Sequence, residues 1–181
     1  MIRQFFIFIY KITGWSISGN LPALKKYLII VAPHTSYWDF PVGIAARSIL
    51  RLKSGFLAKG ELFKNPIVGG VLKAMGGIPV NRSANTNLVD AVVKLYNESE
   101  EMVVTITPEG TRAYVPKWKT GFYYIAKNAE IPIVMIGFDF ARKLVDVREP
   151  FYATDKLEED MEVILDYFRG FTAKHPENGV R

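Results

Sequence analysis

The sequence predicts a single α/β domain in which a mixed, mostly parallel sheet is flanked by helices. Three observations support this fold class. Short, apolar, β-branched runs alternate with segments of helical periodicity along most of the chain. Gly, Pro and polar residues separate those segments, without an internal repeat or an interdomain linker. The chain has 181 residues, of which 49% are hydrophobic, which is enough for one substantial core and short for two.

The elements follow in order from the amino terminus. Residues 27–31 (Tyr-Leu-Ile-Ile-Val) form the first predicted strand, because they are apolar, rich in β-branched side chains and bounded by Pro33. A helix over 38–52 follows, with Pro41 near its start, where the missing N–H costs little. The other extended segments are predicted at 55–58, 78–82, 102–107 and 131–137. The other helices are predicted at 65–75, 88–96, 120–128 and 155–168.

Two of these helices have recognisable starts. Asn65 before Pro66 is typical of an N-cap followed by proline at the first helical position. Asp155 and Glu158 have the spacing of a capping box at the start of the last helix. In the helix that begins at Pro66, Lys73 is assigned to a solvated face. The predicted apolar face of that helix consists of Ile67, Val68, Val71, Leu72 and Met75.

Residues 1–20 combine aromatic side chains with Arg3 and Lys11. Their unbroken apolar run, 5–10, is far shorter than the roughly twenty residues that a transmembrane helix needs. The segment also lacks the longer apolar core and the clear cleavage site of a secretory signal. We expect residues 1–20 to be an amphipathic membrane-interface segment and residues 21–181 to be the main domain. The alternative is a first helix that packs on the domain's own core.

Charge is unevenly distributed along the chain. Residues 1–82 contain eleven Lys or Arg against two acidic residues, whereas residues 83–181 contain twelve against sixteen. The basic half suits an anionic partner. Because its basic residues are interleaved with aromatic and aliphatic ones and form no recognisable nucleic-acid module, we expect an anionic membrane surface and no nucleic acid.

Composition and motif searches exclude several chemistries. The absence of cysteine rules out disulfides, thiolate metal sites and a cysteinyl acyl intermediate. With two histidines and no His-Glu-x-x-His pattern, we expect no catalytic metal. The sequence has no Gly-x-Ser-x-Gly elbow for an α/β-hydrolase nucleophile. It also lacks the glycine-rich patterns that usually hold dinucleotides or triphosphates.

His34 lies where the first predicted strand ends, and Asp39 lies at the start of the next helix. A strand-to-helix turn lets the Asp39 carboxylate fold back onto the imidazole, which leaves the other ring nitrogen free to take a proton. This is the arrangement of a general base oriented by an acid. The alternative is a structural loop histidine beside a helix cap. Ser36 is a weaker candidate for a nucleophile, because its offset from His34 does not guarantee contact.

Two arginines follow extended segments and are expected at the same edge of the sheet. Arg82 ends the segment 78–82, and Arg112 lies just beyond the predicted strand 102–107. In open α/β sheets, ligands gather at the carboxyl ends of the strands. Two guanidinium groups beside a general base form a natural phosphate clamp. Taken alone, each arginine also fits an ordinary solvated loop.

Four motifs in order resemble the glycerolipid acyltransferases typified by 1-acylglycerol-3-phosphate O-acyltransferase. The family's His-x4-Asp motif is similar to residues 34–39, and its Pro-Glu-Gly-Thr-Arg motif is matched in full at 108–112. The glycine-rich approach to an arginine is similar to 76–82, with Lys-Gly-Glu-Leu upstream at 59–62. An apolar stretch around a proline is similar to 131–134. Together the motifs cover residues 27 to about 138.

The resemblance implies a glycerol-3-phosphate acyltransferase-like fold and O-acyl transfer by the domain at 21–181. His34, oriented by Asp39, is expected to deprotonate an acceptor hydroxyl. The hydroxyl oxygen then attacks the thioester of an acyl-CoA or acyl-carrier protein in one step, without a cofactor or a metal. We expect a lysophospholipid acceptor, with 1-acylglycerol-3-phosphate as first choice, and a peripheral location at the cytoplasmic face of the membrane.

The same resemblance implies a phosphate site. It places the acceptor's phosphate on Arg82 and Arg112, with Glu109, Gly110 and Thr111 shaping the site. A backbone N–H near Gly110 is a candidate for stabilising the tetrahedral oxyanion.

The chain departs from the family at a few positions. Pro33 precedes the motif histidine, where relatives often have Asn, and Pro79 stands where many have Phe. Met135 replaces a second proline in the last motif. These departures leave other acceptors open, such as a lyso-ornithine lipid. An acyl thioesterase and a non-catalytic membrane lipid-binding module are the competing hypotheses.

Overall fold

Seven strands form one sheet in the computed structural model, which describes residues 2–80 and 88–181. The strands are β1 (Ser16–Ser18), β2 (Lys26–Ala32), β3 (Gly55–Lys59), β4 (Gly77–Val80), β5 (Met102–Ile106), β6 (Ile133–Asp139) and β7 (Leu144–Val147). Their order is β1-β7-β6-β2-β5-β3-β4. The five strands from β6 to β4 run parallel, whereas β7 is antiparallel to β6 and β1 is parallel to β7. The predicted mixed, mostly parallel sheet is confirmed.

The central strands of the sheet are deeply buried, which explains why the sequence predicted them. β2 and β6 lie side by side, and all seven residues of β6 are buried. A parallel strand that is covered on both faces reads as a continuous apolar run. β1 and β7 were not predicted, because they are only three and four residues long and partly exposed. Residues 16–18, inside the segment predicted to be interfacial, thus form an edge strand.

Helices cover both faces of the sheet. They are α1 (Ile2–Thr13), α2 (Asp39–Ile49), α3 (Pro66–Ala74), α4 (Leu88–Glu98), α5 (Gly121–Asn128) and α6 (Leu157–Arg169). Tyr10 of α1 and Ala46 of α2 belong to the buried cluster on one face, and Tyr123 of α5 and Phe168 of α6 to the cluster on the other. Because parallel crossovers are right-handed, α3, which joins β3 to β4, lies on the side of α2.

One predicted helix start is confirmed and one is wrong. The Asn65 side chain accepts hydrogen bonds from the backbone N–H groups of Ile67 and Val68, as expected of an N-cap. The capping box is absent, because α6 starts after Lys156 without a side-chain cap. Asp155 instead forms an ion pair with Lys127 of α5.

Two helices leave apolar side chains uncovered. On α1, Phe6 and Tyr10 pack towards the core, whereas Phe5 and Phe8 on the other side are exposed. The predicted apolar face of α3 is not a core face, because Ile67 is 79% exposed. No helix within residues 2–80 and 88–181 has the length and hydropathy to cross a bilayer.

Candidate active site

The candidate site lies at the carboxyl edge of the sheet, where neighbouring strands β2 and β5 end. Ile30 of β2 pairs in register with Ile106 of β5, so both strands deliver the chain to the same edge. His34 follows β2, and the segment 108–112 follows β5. The parallel pairing therefore brings together two motifs that are more than seventy residues apart in the sequence.

The side chains of His34 and Asp39 are in contact. The imidazole Nδ1 lies 3.0 Å from Asp39 Oδ2. The Asp39 side chain is only 2% exposed, whereas the His34 side chain is 21% exposed. Because no hydrogen bond to Nε2 is found among the described residues, this ring nitrogen is available to a substrate proton. The geometry is that of a base oriented by a buried carboxylate.

The turn between His34 and Asp39 is held by the same carboxylate. Asp39 Oδ2 accepts a hydrogen bond of 2.8 Å from the backbone N–H of Ser36. The carboxylate therefore folds back before α2, and the alternative of Asp39 as a helix N-cap is not supported. Ser36 Oγ accepts a hydrogen bond from the backbone N–H of Trp38. No hydrogen bond from Ser36 to His34 is present in the described part of the chain, so Ser36 acts in the turn.

Glu109 joins the two loops. Its carboxylate oxygens lie 3.1 and 2.9 Å from the backbone nitrogen of His34, whose N–H they accept. Burial raises the pKa of the Glu109 carboxyl to about 7, although the hydrogen bond from the His34 amide opposes this shift. Glu109 is 6% exposed and lines neither cavity at the site. It therefore acts on the site indirectly, by holding the loop that carries His34.

Gly110 provides the sharp turn that follows. Its φ of +68° lies in the left-handed region, where a side chain is strained. The Gly110 N–H donates to the carbonyl of Thr107 at 3.1 Å. That amide is therefore engaged within the loop, and the expectation that it stabilises an oxyanion is not supported for Gly110 itself. Lys119, which sequence reasoning missed, brings its side chain close to Gly110.

Arg112 and His34 line the same two cavities at the site. The Arg112 guanidinium stacks over the Tyr37 ring, 4.0 Å from the ring centroid. Its buried Nε has no hydrogen-bond partner among the described residues. A buried donor without an acceptor is costly, so this group favours an anionic oxygen beside it.

A polar cleft of about 790 Å³ opens at the site. Its walls include four predicted residues, His34, Gly110, Thr111 and Arg112. The carboxyl-terminal segment forms another wall through His175 and Asn178, which the sequence did not suggest. The backbone N–H of His175 donates a hydrogen bond of 3.2 Å to Thr35 Oγ1. Only a long-range contact brings this segment to the site, so no local pattern signals it.

A larger, mainly apolar cavity of about 1050 Å³ meets the polar cleft at the imidazole. Both cavities are lined by His34, Gly110 and Arg112. From there the apolar cavity runs past Phe40 of α2 and Leu72 of α3. The imidazole therefore lies where a polar compartment and an apolar compartment join.

One predicted site residue, Arg82, lies outside the described residues. Within residues 2–80 and 88–181, no group of three or more His, Asp or Glu side chains is arranged to hold a metal ion.

Comparison with known proteins matches these features to a family. A family model described as "Acyltransferase" matches residues 15–139. The chain is 29% identical over 133 residues to the 1-acyl-sn-glycerol-3-phosphate acyltransferase of Streptococcus pneumoniae, which covers 68% of this chain and 49% of that protein. It is 34% identical over 123 residues to the enzyme of the same name from Bacillus subtilis. That match covers 66% of this chain and 58% of the Bacillus protein. The chain thus spans about half the length of the curated relatives it matches.

A solved structure supports the same fold. The crystal structure of the 1-acyl-sn-glycerophosphate acyltransferase PlsC from Thermotoga maritima superposes with a TM-score of 0.65 and 19% identity. The match covers 93% of this chain and 76% of that one. At this identity the likeness concerns the fold.

Proposed function

This chain belongs to the acyltransferase family, and we propose that it transfers a fatty acyl group from a thioester to the hydroxyl of a lysophospholipid. The preferred acceptor is 1-acylglycerol-3-phosphate, because the curated relatives carry that name. The donor is an acyl-CoA or an acyl-carrier protein.

One observation carries the proposal. The imidazole of His34 contacts a buried carboxylate through Nδ1, while the ring itself lines both the polar cleft and the apolar cavity. An acyl transferase needs a base at the point where a polar acceptor meets an acyl chain. A pure lipid-binding module has no use for an oriented base.

The chemical step uses side chains that the site provides. His34 Nε2 accepts the proton of the acceptor hydroxyl as its oxygen forms a bond to the thioester carbonyl carbon. The resulting oxyanion collapses, the C–S bond breaks, and the thiolate leaves with the proton from the imidazole. Asp39 stabilises the imidazolium formed between these events. The products are an ester and a free thiol, so no cofactor or covalent enzyme intermediate is required.

The two compartments suit the two parts of the substrates. Arg112 lies in the polar cleft, where its guanidinium can bind a phosphate through two parallel hydrogen bonds. Thr111 and Gly110 line the same cleft. Arg82 is the second arm of the clamp in this proposal, on the strength of its motif alone. The apolar cavity suits the acyl chain, since its lining is dominated by aliphatic and aromatic side chains.

We place the protein at the cytoplasmic face of the membrane as a peripheral protein. Support comes from α1, within the proposed interface segment 1–20. Its outward side exposes Ile2, Phe5, Phe8 and Ile12 along one stripe. Such a stripe with flanking basic residues is typical of a helix that lies in the interface.

The test measures free thiol released from an acyl-CoA in the presence of a panel of lysolipids. We expect release to require 1-acylglycerol-3-phosphate and to fall to background in His34→Ala. Release with a lyso-ornithine lipid alone would change the acceptor. Release that is independent of any acceptor identifies a thioesterase and rejects the proposal.

A further inference from the structure

α3 is an apolar helix that the described fold leaves largely uncovered. It has nine residues, and Lys73 is the only charged one. Ile67 is 79% exposed and Val71 is 55% exposed, whereas Gly69 is the only buried residue of the helix. A helix of this composition normally buries at least one face. Its exposed apolar side is therefore a candidate interaction surface.

The packing of α3 against the rest of the domain determines which side of the helix faces outwards. Gly69 lies against a 3-10 helix at Gly60–Phe63, and a Cβ at Gly69 would come within 2.8 Å of the Phe63 carbonyl oxygen. A Cβ at Gly70 would meet no atom within 4 Å. Ile67 and Val71 are one helical turn apart, so they form one exposed stripe. This stripe is separate from the neighbouring one that faces the apolar cavity.

That neighbouring stripe connects the surface to the substrate space. Leu72 and Met75, one turn apart, line the apolar cavity, and Met75 is also 39% exposed. Phe40, at the start of α2, lines the same cavity and is 58% exposed. The apolar cavity and the uncovered side of α3 thus form a continuous apolar surface.

Charge identifies the kind of partner that fits. In the described chain, α1, α2 and α3 carry four Lys or Arg and one acid, Asp39, which is buried. By contrast, α4, α5 and α6 on the opposite face carry seven acids and three Lys or Arg. Lys64, just before α3, and Lys73, in its last turn, are both exposed. Exposed aliphatic side chains on a helix with an exposed lysine near each end match the acyl chains and anionic headgroups of a lipid surface.

We propose that α3 is a second lipid-contacting element, which seats Ile67 and Val71 in an anionic bilayer on the same side of the molecule as α1. The inference rests on the proposed function in one respect, that the apolar cavity receives an acyl chain. With α3 in the interface, the exposed rim of that cavity at Met75 meets lipid. An acyl chain then passes from the bilayer to the imidazole without crossing water.

A site-specific label gives a direct test. The natural chain has no cysteine, so Ile67→Cys carries a single environment-sensitive fluorophore. The matched control is Val163→Cys on α6, which is 46% exposed on the opposite face. On addition of mixed phosphatidylcholine and phosphatidylglycerol vesicles, we expect a blue shift at 67 and none at 163. Equal responses at both positions overturn the proposal.

A binding measurement tests the energetic contribution. We expect Ile67→Glu combined with Val71→Glu to weaken partitioning onto these vesicles by at least about tenfold, because two aliphatic side chains no longer bury their surface in the interface. Val163→Glu is the control and leaves partitioning unchanged. Neither α3 position lines a cavity, so hydrolysis or transfer with water-soluble, short-chain substrates stays at the parent level. Unchanged partitioning of the double variant overturns the proposal.

The remaining outcomes separate this proposal from others. Vesicle binding is measured without substrates, so a parent that binds lipid through α3 and transfers no acyl group rejects the proposed function alone. If the double variant converts a dimeric parent into a monomer and vesicle binding is unaffected, a second copy of the chain covers α3, and the lipid proposal is wrong. Loss of the blue shift in vesicles of phosphatidylcholine alone supports the requirement for anionic headgroups, and an unchanged shift contradicts it.

Discussion

The site contains two buried carboxylates, Asp39 at the start of α2 and Glu109 in the loop after β5, and the two have different partners. Asp39 faces the imidazole of His34 and also accepts the Ser36 N–H. Glu109 directs both oxygens to a single backbone N–H, that of His34. One carboxylate therefore orients a ring, and the other positions the chain that carries the ring.

The difference has an electrostatic consequence. Burial raises the pKa of Glu109 to about 7, and the nearby charge of Asp39 adds to this effect. Near neutral pH, Glu109 therefore gains or loses its proton easily, while it can keep accepting the His34 N–H. The two acids of the site therefore have different roles, and we expect equivalent substitutions at the two to have unequal effects.

The largest effect is expected when the shared partner of both carboxylates is removed. His34→Ala deletes the proposed base, and we expect kcat/KM for acyl transfer to fall by about 10³–10⁴-fold. The backbone N–H that Glu109 binds is retained, but the buried Asp39 carboxylate loses its imidazole partner, so we expect the free energy of unfolding to fall by about 1–3 kcal/mol. Thiol release and urea unfolding measure the two quantities. A variant that transfers as fast as its parent removes the imidazole from the mechanism.

Asp39→Asn gives the next largest effect. The amide keeps the shape of the side chain but loses the charge that stabilises an imidazolium, so we expect kcat to fall by about 10²–10³-fold. The same change at the other carboxylate, Glu109→Gln, is the matched control and should lower kcat far less. Equal losses in the two variants would contradict the division of roles between the two carboxylates.

Arg112→Ala tests what the loop after β5 presents to the substrate. We expect the acceptor kcat/KM to fall by about 30–100-fold, which corresponds to a contact worth about 2–3 kcal/mol. The acyl donor KM should stay nearly unchanged. Arg112→Lys keeps the charge but loses the planar fork and the stacking on Tyr37, so it should restore only part of the activity. A loss confined to the donor would reassign the arginine.

Local pattern made the fold of this chain predictable where elements are long and covered. The strand at 27–31 appears as β2, and the Asn65 cap appears as expected, because both depend on neighbouring residues alone. The contact of His34 with Asp39 was predictable too, since a turn of five residues limits the possible geometry. β1 and β7 escaped prediction because they are short and pair only through the sheet.

Features that depend on distant parts of the chain were not predictable. The bond between Glu109 and the His34 amide joins residues 75 positions apart, and its motif suggested only a role in shaping the site. His175 reaches the cleft through Thr35, 140 positions away. The uncovered side of α3 reversed an expectation, because an apolar stripe in a sequence does not say whether the fold or an external surface covers it.

The smallest effect concerns the protonation of Glu109. Its folded pKa of about 7 lies above the ordinary value of 4.5, so the folded protein binds this proton more tightly than the unfolded chain does. The contribution to stability is therefore full below about pH 4.5 and is lost as the pH rises to about 7. We expect the parent to lose roughly 3 kcal/mol of unfolding free energy across this window relative to Glu109→Gln.

Urea unfolding at several pH values measures this difference, and a second variant separates charge from hydrogen bonding. Glu109→Gln retains an oxygen that accepts the His34 N–H, so it should remove the pH-dependent difference and keep most of the stability. Glu109→Ala removes the acceptor as well, so it should be less stable at every pH. If the parent and Glu109→Gln depend on pH in the same way, the Glu109 carboxyl is not held protonated by burial. The contrast between the two carboxylates would then rest on their hydrogen-bond partners alone.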